Sequence, residues 1–586
     1  MPVSTTTHAA RAAAGPGAWY VTTAIPYVNA PPHIGFALEM VQADVLARFR
    51  RARGHAVRFQ AGTDENSLKN VRAAAVAGVA VERLVAENAA RFRALGPALD
   101  LSVDDFLRTS ADARHRRGVE RLWRACAERG DIYKAAYRGL YCVGCEQFYK
   151  PAELPDGRCP EHGTPPEAVA EENYFFRLSR YGDALHRAIA SGRLGIVPAA
   201  RRNEVLRWIE GGLEDFSISR SAARARGWGL PVPGDPDQVI YVWFDALGNY
   251  VTALGYGADG AEGADGTVGT YGTYGAPGPD GSDGPDGPAF ARFWRDAAAR
   301  EHVIGKGITR FHAVYWPAML LSAGLPLPTR IYAHGYVTVA GAKIGKSAGN
   351  AVDPLPLAAE RGADALRYYL LRHIRSTADG DFSADRFRLA YDAELAGQLG
   401  NLAHRTLSMI DRYCGGVIPP GGAGAALPEV SAPTAAAADP AALSAAAARL
   451  ADTVAADIER FALHDALAAI WQVVALANKY VADAEPWSLA KRAGRAEGPD
   501  GGADAAGADD AADAAAARAD LHHCLFALAA ALRAVGRGLA PFLPATSARL
   551  LRQLGLDPLA PPTGDAHRLA GRKIRRDGLL FPPVDR

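Results

Sequence analysis

The sequence predicts an α/β fold built on a parallel sheet, followed by an all-helical bundle. Three stretches carry that reading. Trp19 to Asn66 runs through strand, helix and strand patterns. His302 to Asn350 returns to strands and turns late in the chain. Past about Phe387 the pattern is helical throughout.

Taken in order, Tyr20 to Thr23 is a short β-branched and aromatic run, as a buried strand requires. A loop with adjacent prolines, Pro31 and Pro32, follows. Ile34, Leu38, Val41, Val45 and Phe49 then recur at spacings of four, three, four and four, which places them on one helix face. Ala56 to Gln60 reads as a second strand and ends in the polar cluster Gly62, Thr63, Asp64, Glu65. His33 and Gly35 stand where the first strand passes to the helix. Such a junction offers backbone N–H groups and the positive end of a helix at the carboxyl edge of a parallel sheet, a seat for a nucleotide phosphate.

Leu68 to Leu95 is helical in pattern, and so is Ala111 to Glu128, with Val119, Leu122 and Trp123 as core candidates. From Ile132 to Asn173 the chain is short-stranded and loop-rich and reads as an insertion. Asn173 to Ser179 is strand-like. Gln238 to Leu247 reads as a buried strand leading into a polar turn at Asp245. Gly255 to Pro288 is a low-complexity run of Gly, Asp, Thr, Tyr and Pro, too poor in apolar surface to fold. His302 to Gly324 gives a strand, a glycine-flanked turn and an apolar helix. Arg330 to Asn350 adds strands and a loop bearing Lys343 and Lys346. Helices are expected at Tyr391 to Tyr413, Pro440 to Phe461, Leu463 to Ala484 and Arg518 to Gly536. Low-complexity linkers at Gly415 to Ala438 and Gly494 to Asp513 break them.

The chain has 586 residues, 49% hydrophobic and 22% charged, enough for several domains. A net charge of +1 neither demands nor excludes a nucleic-acid partner. No apolar run is long enough to span a membrane. Six cysteines are too few for a disulfide scaffold and point to a reducing, cytoplasmic compartment. The first sixteen residues lack acids and carry Ser, Thr and Arg, and they read as a disordered tail rather than a targeting peptide.

Three of the cysteines have metal-like spacing. Cys142-Val-Gly-Cys145 is followed, after thirteen residues, by Cys159-Pro-Glu-His162. Two such knuckles supply four ligands, enough to close a tetrahedron around one zinc ion, with Gly144 and Gly163 permitting the tight turns. A closed site is structural rather than catalytic. The competing readings are buried thiols beside a surface histidine, and redox chemistry at Cys142 and Cys145, which lacks a strand-to-helix context.

The pair PHIGF at 32–36 and KIGKS at 343–347 resembles the two signatures of class I aminoacyl-tRNA synthetases. AIPYVN, GTDEN, YCVGC with CPEHG, RNEVL, YVWFDAL, FHAVYWPAMLLSAG, GNAVDP, ADGDFS and DAEPW, in this order from Trp19 to Trp487, are similar to the methionyl-tRNA synthetase family. The resemblance implies a Rossmann-type catalytic domain split by a zinc-bearing connective insertion, then an α-helical anticodon-binding domain. The expected bounds are a tail at 1–17, the first Rossmann half at 18–131, the insertion at 132–237 and the second half at 238–342, with low-complexity residues 255–288. A lysine loop and stem-contact segment at 343–386 and the helical domain at 387–586 complete the chain.

The resemblance also implies site roles. His33, Lys343 and Lys346 would act on the phosphates of ATP, which brings Mg2+, and Gly35, Phe36 and Ser347 would complete the ATP contacts. Asp64 would hold the amino group of L-methionine. Ile25, Tyr27, Trp243, Ala246, Tyr250, Phe311 and His312 would surround its thioether. Asn401, Arg405 and Trp487 would read the CAU anticodon of methionine tRNA, initiator and elongator. The residue types suit these tasks: point charges for a leaving pyrophosphate, an apolar aromatic pocket for a polarisable sulfur, and an aromatic platform for an unstacked base. Three positions depart from the family pattern. Phe36 replaces a histidine, Gly345 a serine, and Gly307 an aspartate that can bind ribose hydroxyls. Absence of an added tRNA-binding module implies a monomer. The alternatives are a divergent duplicate, kept for inhibitor tolerance or secondary metabolism, and a non-catalytic RNA-binding pseudoenzyme.

Overall fold

The computed structural model describes residues 17–144, 147–160, 163–258, 286–344, 349–421, 440–494, 508–560 and 568–582. The chain divides into two compact units, one of Met1–Tyr336 with Ile344–Leu355, the other of Val337–Lys343 with Pro356–Arg586.

The first unit is organised by a six-stranded, all-parallel sheet. Numbered in chain order, its strands are β1 Ala18–Thr23, β2 Ala56–Thr63, β3 Asp105–Arg108, β4 Gly195–Val197, β5 Ala299–Gly305 and β6 Arg330–His334. They lie in the order β3-β2-β1-β5-β6-β4. The first three strands step outward from β1 in one direction; on the other side β5 is followed outward by β6 and then by β4, which precedes both in the chain. The reversal falls between β1 and β5, with Trp19 opposite Ala299 and Thr23 opposite Val303. Both faces of such a sheet are covered, so Tyr20 to Thr23 are buried in succession instead of alternating.

Helix α1, Ile34–Ala52, carries the chain from β1 back to β2. Its five predicted core residues are buried, and so are Glu39, Gln42, Asp44 and Arg50 on its other faces. The helix is therefore enclosed, and its polar side chains need partners. Asp44, for example, accepts from the backbone N–H and hydroxyl of Ser102 at 2.7 and 2.6 Å. Gly62, near the end of β2, is a required small residue. A Cβ there would overlap the Leu107 carbonyl oxygen and stand 3.0 Å from Ile25 Cγ2.

Three sequence expectations need correction. Leu68 to Leu95 is two helices, Leu68–Ala77 and Val81–Ala98, parted by Gly78 at φ 66. The segment from Ile132 is not short-stranded: Ile132–Cys142 and Glu167–Phe176 form a long antiparallel hairpin with Ile132 opposite Phe176 and Tyr141 opposite Glu167. Its Lys, Ala, Gly and Glu residues have low strand propensity, and cross-strand pairing overrides that. In Gln238 to Leu247 the strand stops at Ile240, and Asp245 makes no turn but lies with Trp243 in helix α2, Val242–Thr252. That helix is buried nearly all round, so its sequence shows an apolar run rather than a helical period.

The second unit is helical, with Ala363–Arg372, Asn401–Cys414, Pro440–Glu459, Leu463–Ala484, Pro486–Ala493, Ala508–Leu539 and Pro544–Gln553 as its main α-helices. Tyr391–Gly400 is π-helical and runs directly into Asn401–Cys414. A small sheet of Val337–Val339, Ala342–Lys343 and Gly380–Phe382 belongs to the same unit. Arg367 is fully buried and donates to the carbonyls of Phe542 at 2.7 Å and Pro541 at 3.0 Å, just past the end of the longest helix. Among the described residues no helix is long and apolar enough to cross a membrane.

Candidate active site

The β1–α1 junction places His33 as the N-cap of α1, with extended backbone at φ −126° and ψ 169°. Its Nδ1 accepts from the Gly35 N–H at 3.1 Å, so a neutral ring carries its proton on Nε2. The Ile34 N–H donates to the carbonyl of Val352 at 2.9 Å. Phe36, expected at the nucleotide, is 8% exposed and meets Phe92 edge-on, with ring centroids 5.1 Å apart. Glu39, one turn further, accepts from the Ala24 N–H at 2.9 Å and pairs with His334 Nε2 at 2.8 Å. His334 Nδ1 donates to the Gly335 carbonyl at 2.7 Å. This buried carboxylate–imidazole contact ties the exit of β1 to the end of β6.

An aromatic cluster joins α2 to the segment that follows β5. Trp243 of α2 stacks on Phe311 with centroids 3.8 Å apart and planes inclined by 4°. His312, the next residue, turns Nδ1 to the Ile308 carbonyl at 3.0 Å, which fixes the proton there. Its Nε2 therefore accepts from the Tyr250 hydroxyl at 2.8 Å. Burial pushes the His312 pKa down to about 4, against a small opposing effect of the Ile308 carbonyl. Burial also raises the Tyr250 phenol well above its usual range. Both partners are uncharged at neutral pH. Phe311 and His312 lie on a π-helical turn, Phe311–Tyr315, which shifts side chains off the α-helical register. Behind Tyr250, the His302 ring is 4.2 Å away and its Nδ1 meets Thr22 Oγ1 at 2.7 Å. Burial, and after it the charges of His312 and Arg300, hold His302 well below the ordinary histidine range.

The strand side of the site is built by the ends of β1 and β2. Tyr27 and Asp64 form an isolated parallel bridge, and the Asp64 N–H donates to the Pro26 carbonyl at 2.9 Å. Asp64 is 3% exposed, while Ile25 and Tyr27 are half-buried. Two polar links hold α2 against β2. Asn66 donates to Asp245 at 2.7 Å, and Gln60 donates to Asn249 at 3.0 Å. Asp245 also contacts His115 Nε2 at 2.6 Å, and His115 Nδ1 contacts Thr252 at 2.9 Å. These links set Trp243, Ala246 and Tyr250 relative to Asp64. Glu39, His334, Asn66, Asp245, His115 and His302 were missed in the sequence. For Glu39, Asp245 and His334 the available signal was a polar residue standing inside an apolar run; Asn66, His115 and His302 stand beside other polar residues and carry no such signal.

Cys142 and Cys159 are each 1% exposed and share a buried cluster with Tyr149 and Leu154. The turn after Cys159 is tight. The Gly163 N–H donates to the Cys159 carbonyl at 2.8 Å, and the Cys159 N–H donates to the Thr164 carbonyl at 2.9 Å. Cys145 and His162 lie outside the described residues, and among the described residues no group of three metal-binding side chains occurs. Gly345, Lys346 and Ser347 also lie outside them. Lys343 lies on the two-residue strand Ala342–Lys343, and its side chain is outside the description. In the helical unit, the Arg405 guanidinium is 5.9 Å from the centroid of Trp487, which is 43% exposed. Asn401 is exposed one turn before Arg405.

The neutral histidine gives the fold a pH dependence. The His312 pKa of about 4 is below its ordinary 6.5, so the unfolded chain takes up the proton first as pH falls. Stability from this group is complete above the ordinary value and is lost as pH drops from there towards the folded value, by about 3 kcal/mol in all. His302 adds a loss of the same sign. Urea midpoints measured across this window should fall less steeply for His312→Gln than for the native chain. Equal slopes would assign the effect elsewhere.

Comparison with known proteins agrees with the geometry. The sequence model of the family described as tRNA synthetases class I (M) matches residues 19–165 and 145–407. The methionine–tRNA ligase of Brucella suis biovar 1 is 40% identical over 537 residues, 91% of this chain and 91% of the relative. That of Caldanaerobacter subterraneus is 36% identical over 571 residues, 97% of this chain and 79% of the relative. Among solved structures, Mycobacterium tuberculosis methionyl-tRNA synthetase in complex with methionyl-adenylate aligns with a TM-score of 0.81 at 38% identity, over 97% of this chain and 100% of that one. The apo form of the same enzyme aligns at 0.74 and 35%, over 97% of this chain and 98% of that one. With a parallel sheet that reverses its order beside the His33 junction, a helical second unit and identity of this extent, the chain belongs to the methionine–tRNA ligase family of class I tRNA synthetases.

Proposed function

We propose that the protein activates L-methionine with ATP to methionyl-adenylate and transfers the methionyl group to the 3′ end of methionine tRNA, initiator and elongator, in the cytoplasm. The observation that carries this reading is the uncharged Tyr250–His312 pair set among Trp243, Phe311 and Ala246 near Asp64. A thioether is a weak acceptor and polarisable. It suits aromatic walls and a neutral hydroxyl, and a charged group there would lose its hydration for nothing. The Asp64 carboxylate supplies the charge that the substrate ammonium needs.

In the first step a methionine carboxylate oxygen attacks the α-phosphorus of ATP and pyrophosphate leaves. In the second a terminal ribose hydroxyl of tRNA attacks the methionyl carbonyl and AMP leaves. The chain forms no covalent intermediate in either step, and it works by positioning and by opposing the charge that builds on phosphate oxygens. His33, with its proton on Nε2, donates to a phosphate oxygen, and the α1 terminus at Gly35 lets the nucleotide approach the backbone. Phe36 and Ser347 complete the nucleotide surroundings. Lys343 and Lys346 neutralise the departing pyrophosphate, and Mg2+ carried by ATP shares that load. Asn401, Arg405 and Trp487 hold the CAU anticodon by edge hydrogen bonds and stacking. Cys142, Cys145, Cys159 and His162 would hold one structural zinc. The burial of both described thiols and the tight turn closed by Gly163 fit that ion.

Methionine-dependent ATP–pyrophosphate exchange, followed by charging of a CAU tRNA, tests the reading, and absence of exchange would refute it. Trp487→Ala should leave exchange unchanged and weaken tRNA binding about tenfold, the worth of one lost stacking platform. Equal charging would remove Trp487 from the tRNA surface. Metal analysis should find about one zinc per chain, lost in Cys142→Ser with Cys145→Ser. A folded, metal-free chain would overturn the zinc assignment.

A further inference from the structure

In an open parallel sheet a nucleotide binds beyond the carboxyl ends of the strands where their order reverses. Here those strands are β1 and β5. His33 follows β1. After β5 the chain makes one 3-10 turn, Lys306–Ile308, whose middle residue, Gly307, is exposed. A Cβ on Gly307 would overlap the Tyr336 hydroxyl oxygen and stand 3.2 Å from Tyr336 Cζ. The space a side chain would occupy at this turn is thus filled by a phenol arriving from the next strand, two residues past the end of β6. Lys306 Nζ lies 4.7 Å from the centre of the same ring, and Tyr336 is half-buried. The segment before it is fixed, because His334 pairs with Glu39 at 2.8 Å.

We propose that Tyr336 contacts the nucleotide, with its hydroxyl bonded to a ribose hydroxyl of ATP, in the space that Gly307 leaves open. The chemistry separates sugar from phosphate. The phosphate end belongs to the α1 terminus, where His33 and Gly35 stand. A neutral phenol one strand over both donates and accepts, which is what pairing with another hydroxyl requires. The proposal rests on the ligase reading. It adds a nucleotide contact that comes from the end of β6 and exists only while residue 307 has no side chain.

The test is pyrophosphate exchange by the full chain with ATP, 2′-deoxy-ATP and 3′-deoxy-ATP. Tyr336→Phe should raise the KM for ATP about fivefold, the worth of one hydrogen bond, and leave the KM for methionine unchanged. With the analogue that lacks the bonded hydroxyl, native and variant should behave alike. Gly307→Ala, which displaces the phenol, should reproduce the ATP effect. An unchanged ATP KM in Tyr336→Phe, or the same loss on ATP and on both analogues, would overturn the proposal. If Tyr336→Phe lost methionine affinity as well, Gly307→Ala decides on the same readout. A native chain without exchange would instead refute the ligase reading itself.

Discussion

The hydrogen bond between Tyr250 and His312 keeps the phenol as donor only while the imidazole stays uncharged. The Ile308 carbonyl fixes the proton on His312 Nδ1, which leaves Nε2 as an acceptor and sets the phenol as donor. Burial keeps the imidazole neutral, and the same burial would make an imidazolium expensive. The pocket follows from that pair. Phe311 precedes His312 on the π-helical turn, so orienting one orients the other, and Trp243 stacks on Phe311. Tyr250 and Trp243 lie two turns apart on α2. The position of that helix therefore matters as much as the pair itself, and Asn66–Asp245 and Gln60–Asn249 hold it to β2. Each of those bonds is buried or partly buried, where losing one partner would leave the other unsatisfied.

The sheet order explains why these groups meet. Strands leaving in opposite directions from β1 and β5 open a crevice at their carboxyl ends, and loops from four strands converge there. β1 brings Ile25, Tyr27 and His33, while β2 brings Asp64. β5 leads to Gly307, Phe311 and His312, and β6 to His334 and Tyr336. Glu39 links the two strand ends, bonded to the Ala24 N–H through one oxygen and to His334 through the other. The Glu39 carboxylate thus aligns two strand ends that are far apart in sequence.

The β1–α1–β2 unit was legible because its period is clean and its polar residues sit at the strand ends. The helices of the second unit were legible from their pattern, except that Ala508–Leu539 begins inside the run read as a linker to Asp513. Val242 to Leu247 was misread as strand and turn because a helix buried nearly all round displays no polar side. The Ile132 to Phe176 hairpin was misread because its strands are held by pairing rather than by propensity. The site residues carried by short motifs were named as a set only through resemblance. Periodicity alone gives Tyr250 and Phe311 as core, which they also are. Glu39, His334, Asp245 and His115 were missed because the partner of each is far along the chain. Their pairing is a product of topology, and no local window contains it.

The most direct measurement is a crystal structure of the chain with bound L-methionine. The thioether should lie in van der Waals contact with the Tyr250 hydroxyl and the His312 ring, and the ammonium group on the Asp64 carboxylate. Methionine seated elsewhere, or with its amino group turned away from Asp64, would contradict it.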